Sequence, residues 1–140
     1  MLLLLDTHVW VWAVEGNVRR IGRRTRQLVA RAGSQDAVRI SPATVFELTA
    51  LHTAGRLRLT RPIDQWVRDA LEGAGVRVAA LSPAIALDAG QIPRAALGDP
   101  LDRLLVATAR QVNATFLTSD TRILEYAAHT GNVRAHDARV

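Results

Sequence analysis

Four acidic residues, Asp6, Glu47, Asp102 and Asp120, have the residue type and the placement along the chain for a shared metal site. Asp6 follows the apolar run Leu2–Leu5 and Asp120 follows a predicted strand at 115–118, whereas Glu47 and Asp102 lie in segments of helical character. Carboxylates that converge repel one another and raise their own pKa values unless a divalent cation neutralises them. Hard ions such as Mg²⁺ and Mn²⁺ take oxygen ligands and leave positions for water and phosphate. The four acids therefore predict a hard-metal site, and two such ions about 4 Å apart can activate water to attack a phosphodiester.

Each of these acids also has a structural explanation. Asp6 and Asp120 can cap the helices that follow them, and Asp99 has the position of an N-cap ahead of Pro100. Asp102, three residues later, can be the acidic partner of a capping box or interact with the helix dipole. Arginine side chains are a further set of partners for buried carboxylates. These alternatives remain open for each acid taken alone, and less so for the four together.

Glu47 is the hardest of the four to explain as a structural residue. Its neighbours at three and four residues' spacing are Ala43, Thr44, Ala50 and Leu51. Its carboxylate is therefore expected to project from a largely apolar face that packs inward. Burying an unpaired carboxylate costs several kcal/mol, so a cation or hydrogen-bond donors should lie beside it. Asp102, which is followed by apolar residues on its own side of a helix, requires the same explanation.

Short strands and helices alternate along the chain and position these acids. The unbroken apolar run Leu2–Leu5 is typical of a central parallel strand that is buried on both faces. The pairs Ser41-Pro42 and Asp99-Pro100 mark the beginning of two helices, because a capping residue precedes proline at the first helical position. The remaining pattern predicts strands at 38–40, 76–80, 115–118 and 133–135, and helices at 9–14, 19–32, 42–54, 63–71, 83–89, 100–111 and 120–128.

Strands separated by helices predict right-handed crossovers and hence an α/β fold, a three-layer α/β/α sandwich with a mostly parallel central sheet. The 140 residues fit one domain spanning residues 1–140. In such folds ligands bind outside the carboxyl ends of the strands. Asp6 and Asp120 are predicted to occupy that position.

The composition excludes several kinds of chemistry. The chain has no cysteine, which removes disulfides, zinc–thiolate sites, iron–sulfur clusters and thiol nucleophiles and suits a reducing cytoplasm. All 18 positive charges are arginines, so no lysine is available for a Walker A loop or a Schiff base. No stretch approaches the roughly 20 apolar residues of a membrane span. We therefore expect a cytoplasmic protein that does not bind a membrane.

The basic segment from Arg19 to Arg31 predicts an amphipathic helix whose arginines lie opposite its apolar residues. Together with the net charge of +5, this helix favours a polyanionic partner, and a solvated helix face is the alternative. Trp10 and Trp12 are expected to pack in the core or at an interface rather than to stack on bases. The four histidines show no metal-ligand spacing and are expected at the surface or in packing positions.

Four segments of the chain, taken in sequence order, resemble PIN domains, and more narrowly the VapC-type toxins of bacterial toxin–antitoxin pairs. The segments run from Leu2 to His8, from Ser41 to Leu48, from Asp99 to Ala109 and from Leu117 to Asp120, and they contain all four acids. The resemblance covers nearly the whole chain in the family's order. It implies the PIN-like form of the α/β/α sandwich.

The resemblance implies a Mg²⁺- or Mn²⁺-dependent endoribonuclease whose metal-binding and catalytic residues are Asp6, Glu47, Asp102 and Asp120. Thr7 and Ser119 match hydroxyl positions that orient those acids or bind a metal-bound water. Asp99 matches an additional aspartate with a capping or an auxiliary metal role. Cleavage by water would leave 5′-phosphate and 3′-hydroxyl ends.

Two departures from the family pattern bear on substrate preference. Many relatives place a histidine just before the Asp99 motif, where this chain has Leu97-Gly98. Many also have lysines in the third helix, where His52 and Arg56 occur here. The acidic centre is unaffected by either change.

The resemblance further implies an RNA substrate, a homodimer, and a cognate antitoxin whose carboxy-terminal tail lies in the active-site groove. A catalytically inactive PIN-like module that binds RNA or a protein partner is the alternative function. A phosphatase with Asp6 as nucleophile is disfavoured, because it would normally have a second aspartate two residues later, where this chain has His8.

Overall fold

The computed structural model describes residues 1–140 and contains five strands and seven helices. The strands are β1 (Leu2–Leu5), β2 (Val38–Ile40), β3 (Val76–Val78), β4 (Ala114–Thr118) and β5 (Ala135–Asp137). The helices are α1 (Thr7–Glu15), α2 (Arg23–Ser34), α3 (Pro42–Thr53), α4 (Ile63–Leu71), α5 (Pro83–Gln91), α6 (Pro100–Gln111) and α7 (Thr121–Thr130).

All four strand pairings are parallel, and the order across the sheet is β3-β2-β1-β4-β5. From β1 the chain adds β2 and β3 on one side, then crosses over to add β4 and β5 on the other. The direction of winding therefore reverses between β1 and β4. In open α/β sheets, ligands bind at this switch point, outside the carboxyl ends of the strands.

The side chains of β1 alternate between two hydrophobic cores. Leu3 and Leu5 pack with residues of α1, α2 and α4, whereas Leu4 packs with residues of α6 and α7. Since successive side chains of a strand point to opposite faces, helices cover both faces of the sheet. The prediction of a three-layer α/β/α sandwich is confirmed, and the sheet is parallel throughout rather than mostly parallel.

Trp10 and Trp66 lie at the centre of the core beneath α1 and α4. Their rings meet edge to face with centroids 5.1 Å apart, and both side chains are fully buried. The expectation of core packing is therefore confirmed for Trp10. Trp12 is half-buried and packs against the same core.

A capping side chain followed by proline sets the start of three helices. The side chains of Ser41, Ser82 and Asp99 each accept a hydrogen bond from a backbone N–H in the first turn of α3, α5 and α6. Proline follows each of them, at a position where a backbone N–H would have no partner in the helix. Because Asp99 caps α6, Asp102 lies in the first turn of that helix.

The predicted start of the basic helix was wrong, because α2 begins at Arg23 and not at residue 19. Gly22 is in an extended conformation (φ −65°, ψ 159°), and its N–H donates to the carbonyl of Ala138. A Cβ atom at Gly22 would lie 2.1 Å from the backbone of Val140. Only glycine fits this close approach, and its extended backbone places the first helical residue at Arg23, so that Arg19 lies outside the helix.

Two strands differ from prediction by two residues, and β4 begins one residue before its predicted start at 115. β3 ends at Val78 rather than at residue 80, because its neighbour β2 ends at Ile40 and the chain turns into α3 there. β5 spans Ala135–Asp137 rather than 133–135, since Gly131 ends α7 in the left-handed conformation and the chain must turn before it meets β4. The longest helices have 12 residues, and none combines the length and the apolar character needed to cross a membrane.

Candidate active site

The carboxyl ends of β1 and β4 bring the acidic residues together. Asp6 directly follows β1, and Asp120 lies two residues after β4. A cavity of about 570 Å³ lies at these ends, and its polar wall residues are Asp6, His8, Glu47, Arg56, Asp99, Asp102, Ser119, Asp120, Thr121 and Arg122. All four acids that the sequence proposes as ligands, with Asp99 and Ser119, thus face one cavity.

Asp6 is held by hydrogen bonds on both carboxylate oxygens. The N–H of Thr7 donates to Oδ1 at 2.8 Å, so Asp6 caps α1. The hydroxyl of Thr118 donates to Oδ2 at 2.6 Å. Burial raises the pKa of Asp6, and the hydrogen bonds from Thr118 and Thr7 oppose part of that rise. The capping role and the place in the cavity are therefore compatible.

Glu47 reaches the cavity from α3, and Thr7 contacts its carboxylate. Thr7 is fully buried, and its hydroxyl donates a hydrogen bond to Oε1 of Glu47. The prediction that the Glu47 face packs inward holds for Ala43 and Thr44, which are buried. It is wrong for Ala50, which is exposed.

Asp102 is the most deeply buried of the four acids, with 7% of its surface exposed. Burial raises the pKa of Asp102 to about 7, and the negative charges of Asp99, Asp6, Asp120 and Glu47 contribute to the rise. Those charges act on Asp102 because their side chains face the same cavity. The protonation of Asp102 therefore depends on the charges of the other acids of the cavity.

Thr118 connects the two acids that follow the central strands. Its hydroxyl donates to Asp6, as described above, and accepts a hydrogen bond from the backbone N–H of Asp120 at 3.0 Å. Asp120 in turn caps α7, since its Oδ1 accepts from the N–H of Arg122 at 2.9 Å. A single buried hydroxyl thus links the two acids that follow β1 and β4.

Arginine is not the partner of the central acids. None of the five ion pairs in the chain involves Asp6, Glu47 or Asp102. Only Asp120 has an arginine nearby, because Nη2 of Arg122 lies 3.4 Å from its Oδ2. The Arg122 side chain is 78% exposed, so even this contact is weak. The arginine alternative is therefore wrong for Asp6, Glu47 and Asp102.

Carboxylate oxygens without cationic partners are the ligands that Mg²⁺ and Mn²⁺ prefer. As the side chains stand, no three acidic or histidine residues converge closely enough to hold an ion. The donor chemistry nevertheless fits such an ion, because burial and like charge raise the pKa of Asp102 to about 7, and a divalent cation relieves that repulsion.

Three residues at the site received no role from the sequence. Thr118 ends β4, directly before Ser119 and Asp120, and a hydroxyl at a strand end was the only available signal. His8 is an exposed residue of the cavity wall, and its ring lies 5.9 Å from that of Trp12. Arg122 carries a cation at the same wall.

The fold and the cavity define the class of protein: an open parallel α/β sheet that gathers buried carboxylates at its switch point. A family model described as "PIN domain" matches residues 3–129. The chain therefore belongs to the PIN-domain family, and the resemblance seen in the sequence is confirmed.

Similarity to known proteins extends over most of the chain. Ribonuclease VapC22 of Mycobacterium tuberculosis is 31% identical over 121 residues, which are 86% of this chain and 88% of that protein. The solved structure of VapBC2 from Rickettsia felis, bound to a promoter DNA fragment, matches with a TM-score of 0.70 and 15% identity over 97% of this chain and 98% of the other. FitAcB from Neisseria gonorrhoeae matches with a TM-score of 0.63 and 22% identity over 98% of each chain. At these identities the two structures show a shared fold.

Proposed function

We propose that the protein is a Mg²⁺- or Mn²⁺-dependent endoribonuclease, that residues 1–140 form a single PIN domain, and that it is the toxin of a toxin–antitoxin pair. The observation that carries the proposal is the convergence of Asp6, Glu47, Asp102 and Asp120 on one cavity at the switch point of the sheet. Membership of the PIN family and the 31% identity to a protein named as a ribonuclease support it.

Asp6, Glu47, Asp102 and Asp120 would hold the metal. When bound, a divalent cation supplies an activated water and stabilises negative charge on the phosphate and the leaving oxygen. Ser119 and Asp99 lie at the same wall and are proposed as auxiliary residues. No side chain is required as a nucleophile.

The remaining contacts of the site position its acids and its substrate. Thr7 and Thr118 direct the carboxylates of Glu47 and Asp6 through hydrogen bonds from buried hydroxyls. Arg56 and Arg122 stand at the cavity wall, where their cations attract RNA phosphates toward an otherwise acidic site. Burial of Asp102 limits the access of bulk water to that carboxylate.

We further propose that the protein assembles with an antitoxin and as a homodimer. The solved neighbours are VapBC and FitAB complexes, some of them bound to DNA. Large apolar side chains that are exposed in the single chain, including Phe46 and Leu87, are consistent with protein contacts.

The test is cleavage of structured and single-stranded RNA by the purified protein with Mg²⁺, with Mn²⁺, and with EDTA. We expect metal-dependent cleavage that leaves 5′-phosphate and 3′-hydroxyl ends and that is lost in Asp6→Asn. Asp64→Asn, which changes an exposed acid of α4, is the matched control and should cleave like the wild type. Cleavage that persists in EDTA or in Asp6→Asn would overturn the metal mechanism. Absence of metal-stimulated cleavage would favour the inactive binding module.

A further inference from the structure

A second cavity, of about 430 Å³, adjoins the acidic cavity. The two share three wall residues, Asp99, Asp102 and Arg122. The second cavity is bounded by the loop at residues 95–98 and by the last two turns of α7. Its volume lies in the range of small-molecule sites, about 300–1,000 Å³. A strand of RNA whose phosphate lies in the acidic cavity therefore has an enclosed space beside it.

The walls of this cavity combine fixed apolar surface with hydrogen-bond acceptors. Tyr126 and Leu97 are buried wall residues, and the phenolic oxygen of Tyr126 accepts a hydrogen bond from Nδ2 of Asn132 at 3.2 Å. Glu125 adds an exposed carboxylate from α7, and His129 lies one turn further on. Partly apolar walls with a few polar groups suit an aromatic ring that carries N–H donors.

The charged residues of the two cavities indicate which part of a nucleotide each of them accepts. Asp99, Asp102 and Glu125 make the second cavity unfavourable for phosphate. A phosphate is accepted in the acidic cavity only through the divalent cation proposed there, and Arg122 stands at the junction of the two cavities. Carboxylate oxygens are acceptors only, so they pair with the amino and imino groups of a base. Guanine, adenine and cytosine carry an exocyclic amino group, and uracil does not.

We propose that the cavity bounded by residues 95–98 and α7 binds the nucleobase next to the cleaved phosphodiester and selects a base with an exocyclic amino group. Glu125 is the specificity-determining residue, and Arg122 contacts the phosphate between the two cavities. This inference rests on the proposed ribonuclease function and names the part of the substrate that the site reads.

The first experiment measures binding without cleavage. Guanosine 5′-monophosphate and uridine 5′-monophosphate are titrated separately into the protein with Mg²⁺, and backbone amide shifts are followed by NMR. We expect GMP to bind about tenfold more tightly than UMP and to shift the amides of residues 95–98 and 125–130. Glu125→Ala should remove most of this difference, because alanine has no side-chain acceptor. Glu72→Ala, at the exposed end of α4, is the matched control and should retain it.

The second experiment maps cleavage positions in an RNA of mixed sequence. We expect an amino-bearing base at one fixed position beside the cut, and loss of that preference in Glu125→Ala but not in Glu72→Ala. Equal binding of GMP and UMP, shifts confined to other residues, or cleavage with no base preference would overturn the inference and leave the ribonuclease proposal standing. Selective GMP binding at these amides without any RNA cleavage would retain the nucleobase site and contradict the ribonuclease.

Discussion

The hydroxyl of Thr118 donates a 2.6 Å hydrogen bond to Oδ2 of Asp6, across the boundary between β4 and β1 where the winding of the sheet reverses. The two residues are 112 positions apart in the chain and are brought together by the parallel pairing of the two strands. The same hydroxyl accepts from the N–H of Asp120. Two proposed metal ligands are thus aligned through one buried side chain.

Thr118→Val is expected to lower RNA cleavage by about 10- to 100-fold, the range seen when groups that orient metal ligands are removed. Valine keeps the shape of threonine but can neither donate to Asp6 nor accept from Asp120. Thr118→Ser should retain most of the activity because the hydroxyl remains. Thr115→Val changes a half-buried threonine of the same strand and serves as the control. Single-turnover rates and Mg²⁺ affinity are the measurements, and equal rates for Thr118→Val and the wild type would contradict the positioning role.

Asp102→Asn is expected to stabilise the metal-free protein at pH 8. Burial and neighbouring charges raise the pKa of Asp102 to about 7 from an ordinary value of 3.8. The unfolded chain therefore loses this proton near pH 4, whereas the folded chain keeps it until about pH 7. The stabilising contribution of the protonated group is present below the unfolded pKa and is lost as pH rises toward 7.

Urea unfolding in EDTA at pH 5 and pH 8 measures this effect. From pH 5 to pH 8 the free energy of unfolding should fall more in the wild type than in Asp102→Asn, by on the order of 2 kcal/mol. Asp64→Asn should follow the wild type, because Asp64 is exposed. If Asp102 served only the helix dipole, its replacement would instead destabilise the fold at pH 8.

Local patterns in the sequence predicted most of the elements, because caps, prolines and apolar runs act within a few residues. Ser41 and Asp99 cap their helices as their types indicate. The start of α2 was missed because it depends on the packing of Gly22 against Val140, which are far apart in the chain. Long-range packing of this kind leaves no periodicity to detect.

The acids of the candidate site followed from their types and from the rule that ligands bind at strand ends. The contact of Thr118 with Asp6 did not, since it joins residues 112 positions apart. For Thr7, which contacts Glu47 from 40 positions away, only the family resemblance gave an orienting role. The cavity beside α7 was also invisible, because a loop and a helix that are distant in sequence form its walls. Sequence therefore predicts which acids share the cavity better than it predicts which side chains orient them.

Gly75→Ala is expected to destabilise the protein by at least about 2 kcal/mol. Gly75 has a φ of +78°, and a Cβ atom there would lie 1.9 Å from the carbonyl oxygen of Gly33. The substitution therefore combines a left-handed backbone with a clash between α2 and the turn before β3.

Gly16→Ala isolates the backbone contribution. Gly16 has a φ of +69°, but a Cβ atom there would meet no heavy atom within 4 Å beyond its own chain neighbours. We expect a loss of only about 1 kcal/mol from the left-handed conformation. Thermal or urea unfolding of both variants measures the difference, and equal losses would show that the approach of Gly33 to Gly75 is not tight in solution.

The start of α2 lies at the carboxyl ends of the strands, on the same side of the sheet as the acidic cavity. Thr25 contacts Nε2 of His136 in β5 at 2.8 Å, and the N–H of Ala138, just after β5, donates to the carbonyl of Thr118. Arg23 and Arg24 are exposed at the first turn of α2. They are therefore placed to contact the phosphates of an RNA strand where it leaves the acidic cavity.

Replacing Arg23 and Arg24 together by alanine should weaken RNA binding. The plot of the logarithm of the RNA association constant against the logarithm of the salt concentration should become less steep by about 1 to 2, because each phosphate contact releases condensed counterions. Binding is measured in EDTA across a range of NaCl concentrations, so that cleavage does not interfere. Arg68 and Arg77, which are exposed on α4 and β3, form the matched double control. If both double variants change the slope equally, the net charge of the protein governs binding and the first turn of α2 makes no particular contact. A less steep salt dependence in the Arg23 and Arg24 variant alone would place the RNA backbone along the first turn of α2, at the carboxyl ends of the strands.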